Sequence, residues 1–235
     1  MSYVLGFVVA DGCIGIKRIR KDGIKRYYFN ITSKDKPHLE NIKKVMVAHQ
    51  KIYSKGSGYT NRKDYYFIQI GHQEICRDLI NLGISPRKTY NLNPIKVPKK
   101  YFPDFVRGFF DGDGSVYIYN VNKVPQIKVG FVSSSLPFIT EFNQQLCKSL
   151  NIPLKTIHQT VDEQGKRIIQ YNICFYVDDC ERLYRFMYKE VFIFLDRKYR
   201  IFKKWENIKS KNRRHYIKQN YPSKVGWHLN QGVFA

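Results

Sequence analysis

The chain repeats itself. An apolar segment closing on Asp-Gly, VLGFVVADG from Val4 to Gly12, returns as VRGFFDGDG from Val106 to Gly114, with Asp11 and Asp113 102 residues apart. YFNITSK (28–34) is echoed by VGFVSSS (129–135), each followed by a proline and a helical run. Both halves also close alike, on Arg87-Lys88 and Arg197-Lys198. A duplication of this kind restricts the fold to two copies of one unit that share an approximate twofold. Asn93 to Lys100 (NPIKVPKK) interrupts helix and sheet with its prolines and marks the junction. The organisation predicted is an N-terminal repeat (1–93), a Pro-rich linker (94–102), a C-terminal repeat (103–204) and a basic C-terminal extension (205–235).

Hydrophobic spacing gives each repeat the order α-β-β-α-β-β-α, an α+β class. Cys13 to Arg20 and Arg26 to Thr32 alternate as strands, with Tyr27, Phe29 and Ile31 on one face and Arg26, Tyr28, Asn30 and Thr32 on the other. Leu39, Ile42, Val45 and Met46 keep helical spacing, Lys63 to Ile70 reads as a strand and Glu74 to Leu82 as a helix. The second repeat predicts strands near 115–120, 126–133, 155–160 and 167–175, with helices near 139–150 and from Cys180. Such an order folds as an antiparallel sheet with helices on one face and the other face free.

The charge says what a free face is for. Forty-one Lys and Arg against 19 Asp and Glu give +22 on 235 residues, an excess that repels itself until a polyanion neutralises it, and nucleic acid is the commonest such partner. The basic residues alternate with Tyr, Asn and Gln along the strands instead of collecting in one tail, and 43% hydrophobic residues exclude disorder as the main state. No stretch reaches the roughly 18 apolar residues needed to span a bilayer, so a membrane partner is not expected and the chain is read as intracellular: cytoplasm, nucleoid or an organelle matrix. Five cysteines without a C-x-x-C pair indicate neither a disulfide framework nor a zinc ribbon, and the six histidines are scattered.

In the opening helices small residues recur four apart, Gly6 with Ala10 and Gly108 with Gly112, so the two helices are expected to pack on each other at the centre. That pairing brings Asp11 and Asp113 together, each at a helix C-terminus where a carboxylate is disfavoured. A hard cation between them, Mg²⁺ bound by the two carboxylates and by phosphate oxygens of a substrate, relieves the conflict, and the carbonyls of Ala10 and Gly112 are placed to add ligands. Gly12 and Gly114 suit a left-handed helix end.

VLGFVVADG and VRGFFDGDG resemble the paired signature helices of LAGLIDADG homing endonucleases, and two motifs in one chain resemble the family's monomeric members. The likeness runs over about residues 3 to 204. It implies a pseudo-twofold αββαββα fold whose two sheets form a saddle over the DNA major groove, with both strands cut across the minor groove. It also implies Asp11 and Asp113 as metal ligands, one active site per strand, and Lys88 and Lys198 as active-site lysines that stabilise charge on the phosphate or polarise the attacking water. Departures are Val9 where the second repeat has Asp111, which makes Asp111 a structural carboxylate, and Ser33 and Ser134 at positions where some members carry a water-ordering Gln. Only Met1 and Ser2 precede Tyr3, where Tyr101 to Asp104 lead into the second helix, a difference that either an N-terminal truncation or a late start codon would explain.

The activity implied is site-specific double-strand DNA cleavage by two-metal-type hydrolysis with Mg²⁺, leaving 5′-phosphate and 3′-hydroxyl ends. Mn²⁺ is expected to substitute, and Ca²⁺ to support binding without cleavage. Candidate DNA-reading residues are Lys17, Arg26, Tyr28, Asn30 and Gln69 in one half and Gln126, Lys128, Gln170 and Asn172 in the other; a one-residue slip in register would exchange them for buried neighbours. Lys203, Lys204, Lys209, Lys211, Arg213, Arg214 and Lys218 either clamp flanking phosphates or form a solvated basic tail. The competing readings are a maturase acting on its host intron RNA and a non-cleaving DNA-binding regulator. Since the duplication supplies both halves of the twofold, a monomer is expected.

Overall fold

The computed structural model describes residues 1–19, 23–57, 60–86, 88 and 91–220. The first repeat runs α1 (Ser2–Asp11), β1 (Gly12–Ile19), β2 (Lys25–Ser33), α2 (Lys36–Val45), β3 (Ile52–Ser57), β4 (Thr60–Ile70) and α3 (Gln73–Asn81). The second runs α4 (Phe102–Asp113), β5 (Gly114–Val121), β6 (Val124–Ser133), α5 (Leu136–Leu150), β7 (His158–Val161), β8 (Ile168–Tyr176), α6 (Val177–Tyr188) and α7 (Asp196–Asn220). Each repeat holds one antiparallel four-stranded sheet, in the orders β1-β2-β4-β3 and β5-β6-β8-β7, as the duplication requires. The predicted end of the first strand, Arg20, lies outside the described residues.

Alternation decides which face is covered. Phe29, Ile31, Ile68 and Ile70 in one sheet, and Val129, Phe131, Ile173 and Phe175 in the other, are buried under the helices. Burial of this kind contributes roughly 1.5–3 kcal/mol per large side chain. The β5–β6 hairpin turns through Asn122 and Lys123, both at positive φ, the turn whose twist matches that of its strands. Where β2 runs past the pairing with β4, the Gln73 amide donates to the Tyr27 carbonyl (2.7 Å) and accepts from its N–H (3.0 Å), completing the sheet edge.

Helices α1 and α4 cross at the centre; α1 is apolar nearly all round, whereas α4 buries Arg107 and Asp111 among its apolar residues. Their glycines are needed for backbone contact: a Cβ on Gly6 would lie 2.1 Å from the Phe105 carbonyl oxygen, and one on Gly108 would lie 1.9 Å from that of Tyr3. Just before the linker the Leu92 carbonyl accepts from Ser135 Oγ at 2.6 Å, and within the linker Ile95 is buried. The boundary drawn at residue 204 falls inside α7, a single helix whose Phe202 and Trp205 are buried.

Candidate active site and nucleic-acid interface

Asp11 and Asp113 are the last residues of α1 and α4, and the helix crossing sets them side by side. A Cβ on Gly112 would lie 2.2 Å from the Ala10 Cβ, so glycine lets the two helix ends meet, with Asp11 Oδ2 3.4 Å from the same point. Burial, and then the charge of Asp113, push the Asp11 carboxyl up to about 6; burial also raises Asp113. Gly12 and Gly114 do not adopt the left-handed conformation expected of them: both are extended, at φ −86° and −80°. They are needed for close approach instead, since a Cβ would lie 2.4 Å from Val8 O and 2.5 Å from Phe110 O respectively.

Both predicted lysines reach this place and cap the helices that carry the aspartates. Lys88 Nζ donates to the carbonyls of Val9 and Ala10, the latter at 2.9 Å. Lys198 Nζ, 4% exposed, lies within hydrogen-bond distance of the carbonyls of Phe110 (2.6 Å), Asp111 (2.9 Å), Gly112 (3.2 Å) and Gly114 (2.5 Å). An ammonium at a helix C-terminus offsets the negative end of the macrodipole, and here two do so beside two carboxylates. Burial lowers both lysines, Lys198 to about 8. Asp113 feels Lys88 more than Lys198, whereas Asp11 feels Lys198 more than Lys88, so each aspartate's stronger cation comes from the other repeat.

A cavity of about 260 Å³ opens beside Asp113, lined by Val9, Ala10, Lys88, Phe109, Ser133, Ser134 and Gln170 among others. The counterpart of Ser33 is Ser133, not Ser134: Gly12 pairs with Ile31 and Gly114 with Phe131, and Ser33 and Ser133 each accept from the N–H two residues on at 3.1 Å. Ser134 Oγ is held by Ile169 O at 2.9 Å. Two close carboxylates with main-chain carbonyls beside them are an all-oxygen donor set that fits a hard divalent cation completing its shell with water and phosphate. Among the described residues no group of three or more His, Cys, Asp or Glu side chains forms a metal cage.

Asp111 is structural, as its asymmetry with Val9 suggests. It is buried and accepts at Oδ2 from Tyr3 Oη (2.7 Å) and the Leu195 N–H (2.8 Å). His38 Nε2 lies 2.9 Å from the same Tyr3 oxygen, whose proton is committed to Asp111, so the imidazole donates; burial lowers its pKa to about 4. This histidine is a packing residue.

The uncovered sheet faces carry the predicted readers. On β6, Gln126 and Lys128 flank Ile127, which is fully buried, and register sets Lys128 between Tyr117 and Tyr176. Asn172 pairs with Val132 and His158, and Gln170 with Thr160. In the first sheet Asn30 stands between Cys13 and Gln69, Tyr28 faces Gly15, Arg26 is exposed and Lys17 is exposed at a bulge. Tyr28 needs Gly15, where a Cβ would meet its ring at 2.4 Å. Sequence reasoning missed Tyr53, Phe67, Tyr117, Tyr119 and Tyr176 on these faces, although their odd or even spacing with the chosen residues would have found them. Of the cysteines, Cys76, Cys147 and Cys180 are buried, Cys174 is half-buried and Cys13 is exposed. On α7, Arg200, Lys203, Lys204, Asn207 and Lys211 share a shallow face, Lys203 and Lys209 are ion-paired with Glu206 and Glu181, and the side chains of Arg213, Arg214 and Lys218 lie outside the described part.

Comparison with known proteins identifies the fold. Residues 104–187 match the LAGLIDADG-like domain. The crystal structure of the LAGLIDADG homing endonuclease I-GzeII with its DNA target superposes with a TM-score of 0.57 over 93% of each chain, at 14% identity. The chain has the fold of these LAGLIDADG structures. Other LAGLIDADG-fold neighbours are I-SmaMI bound to uncleaved DNA with calcium (TM-score 0.54, 14% identity, 91% of this chain and 92% of that one) and I-DmoI with DNA and Mn (0.52, 13%, 81% and 97%). An uncharacterised protein of Methanocaldococcus jannaschii is 28% identical over 187 residues, 78% of this chain. The match spans 60% of that relative's length.

Proposed function

We propose that the chain is a homing endonuclease: a site-specific, divalent-metal-dependent enzyme that hydrolyses both strands of a long asymmetric DNA target as a monomer. The observation that carries this reading is the meeting of Asp11 and Asp113 at the crossing of α1 and α4, with Lys88 and Lys198 at their sides. Asp11 and Asp113 would hold the metal, and the carbonyls of Ala10 and Gly112 keep a second lone pair beyond the bond to lysine. Mg²⁺, when bound, supplies charge neutralisation and an acidified water. Lys198 spends its three protons on main-chain carbonyls and acts on a phosphate as a fixed positive charge, whereas Lys88 donates to two carbonyls and has a third N–H to offer.

Arg26, Tyr28, Asn30 and Gln69 on one open face and Gln126, Lys128, Gln170 and Asn172 on the other are the base-reading set, with Lys17 at the rim. The two sets differ, which supports an asymmetric target. The test is selection of cut molecules from a random duplex library with Mg²⁺, repeated with Asp11→Asn and Asp113→Asn. One long recovered site, lost in either variant while binding in Ca²⁺ survives, is the expected result. Retention without cutting would replace this reading with a regulator, and absence of DNA selectivity with an RNA-directed role.

A further inference from the structure

Arg107 and Asp111 lie four residues apart in α4, and both reach into the segment that delivers Lys198. Arg107, 3% exposed, donates from Nε to Ile193 O (2.9 Å), from Nη1 to Met187 O (2.6 Å) and from Nη2 to Asp104 (2.6 Å). Asp111, 1% exposed, holds the Leu195 N–H, and the Leu195 carbonyl accepts in turn from the N–H groups of Lys198 (3.0 Å) and Tyr199 (3.1 Å). Leu195 is therefore the hinge between the arriving chain and α7, and the carboxylate fixes its backbone. Placing a guanidinium and a carboxylate inside a helical core has a desolvation penalty, which these directed bonds offset. The cleavage chemistry proposed above uses neither group.

The first repeat lacks this device. Counting back 102 residues, Leu5 stands for Arg107 and Val9 for Asp111, both hydrocarbon side chains. Lys88 follows the buried Ile84, and among the described residues no counterpart of Asp111 in α1 binds the backbone that delivers it. We propose that Asp111, backed by Arg107, is a positioning residue for Lys198, acting on one of the two active sites and not on the other. Its consequence for cleavage rests on the nuclease reading; its geometric content does not.

Two measurements test it on the full chain. In DNA-free protein, an amine-reactive acylating reagent is followed at Lys88 and Lys198 by mass spectrometry. Asp111→Ala is expected to raise the labelling rate of Lys198 at unchanged Lys88, and Asp111→Asn, which keeps an acceptor for the Leu195 N–H, to restore protection. Equal rises at both lysines, or no rise at Lys198, would overturn the proposal whether or not the protein cuts DNA. On the selected target, strand-resolved cleavage by Asp111→Ala is expected to slow one strand by roughly 100-fold, the scale of a 1 Å misplacement, and to accumulate nicked duplex. Lys198→Ala should slow the same strand, with no further loss in the double variant, and Lys88→Ala the other. Equal slowing of both strands would also overturn it, whereas a parent protein that cuts neither strand would refute the nuclease reading alone. Should Asp111→Ala fail to fold, Arg107→Gln is expected to change labelling and strand bias in the same direction.

Discussion

Replacing Asp11 with Asn should make the metal-free protein more stable, by an amount that depends on pH. In the folded chain burial, and then the charge of Asp113, lift the Asp11 carboxyl from the usual 3.8 to about 6. A raised folded pKa means that the stability contributed by the protonated form is fully present below about pH 4 and is lost as pH rises through 6. At pH 7 the lost stabilisation is about 3 kcal/mol, which for a chain of this size corresponds to roughly 6–12 °C in Tm. Asn imitates the protonated acid, so parent and Asp11→Asn should be equally stable near pH 4 and separate above it, the variant melting higher at pH 7. Asp111 and His38 titrate in the same window, to about 6 and about 4, but they are common to both proteins and cancel in the difference. The assay is chemical or thermal unfolding in chelator across pH 4 to 7.5. Adding a divalent cation at 100 times its Kd should then stabilise the parent by about 2.7 kcal/mol and leave the variant behind. A variant no more stable than the parent at pH 7, or one that differs equally at pH 4 and 7, would refute the reasoning.

Gly108→Ala should destabilise by more than about 2 kcal/mol, read from urea midpoints, because its methyl would meet the Tyr3 carbonyl. Phe109→Ala, which opens a fully buried site among Phe131, Phe138 and Phe142, should cost about 3–5 kcal/mol in the same assay. Lys128→Ala should weaken binding to the selected DNA in Ca²⁺ and reduce the slope of log affinity against log salt by about one if that ammonium contacts a phosphate, or leave the slope alone if it reads a base. Gly15→Ala should displace the Tyr28 ring and weaken the same binding, with a smaller effect on stability than Gly108→Ala, because a side chain can move where a backbone cannot.

The parts of this molecule that were legible beforehand are those repeated or periodic along the chain. The Gly6/Ala10 and Gly108/Gly112 spacing announces the helix crossing, and strict alternation around Ile127 and Phe29 announces which side chains stay uncovered. What escaped depends on atoms far away in sequence. Arg107 and Asp111 bind backbone groups about 80 residues downstream, and main-chain acceptors leave no sequence signature. The conformation of Gly12 was misjudged for the same reason: a glycine required by a nearby carbonyl and one required by positive φ are the same letter. The slip between Ser133 and Ser134 came from three consecutive serines, which only pairing register separates. Helix α7 was obscured by its Lys-rich composition, although Phe202, Trp205 and Ile208 keep a three-residue spacing that a search for one apolar face would have detected.

The contact between α1 and α4 is made by main chain against main chain, at glycines that admit no side chain. Distances fixed this way resemble those of a caliper locked at one opening: the exchange of any side chain on the sheets leaves the spacing of Asp11 and Asp113 as it was. In an enzyme that cuts once at each carboxylate, the overhang left on the product would be dictated by this locked crossing, while the sequence it is cut from would be dictated by the strands. The two properties are then separately adjustable, and a redesigned reading surface would inherit the stagger of its parent.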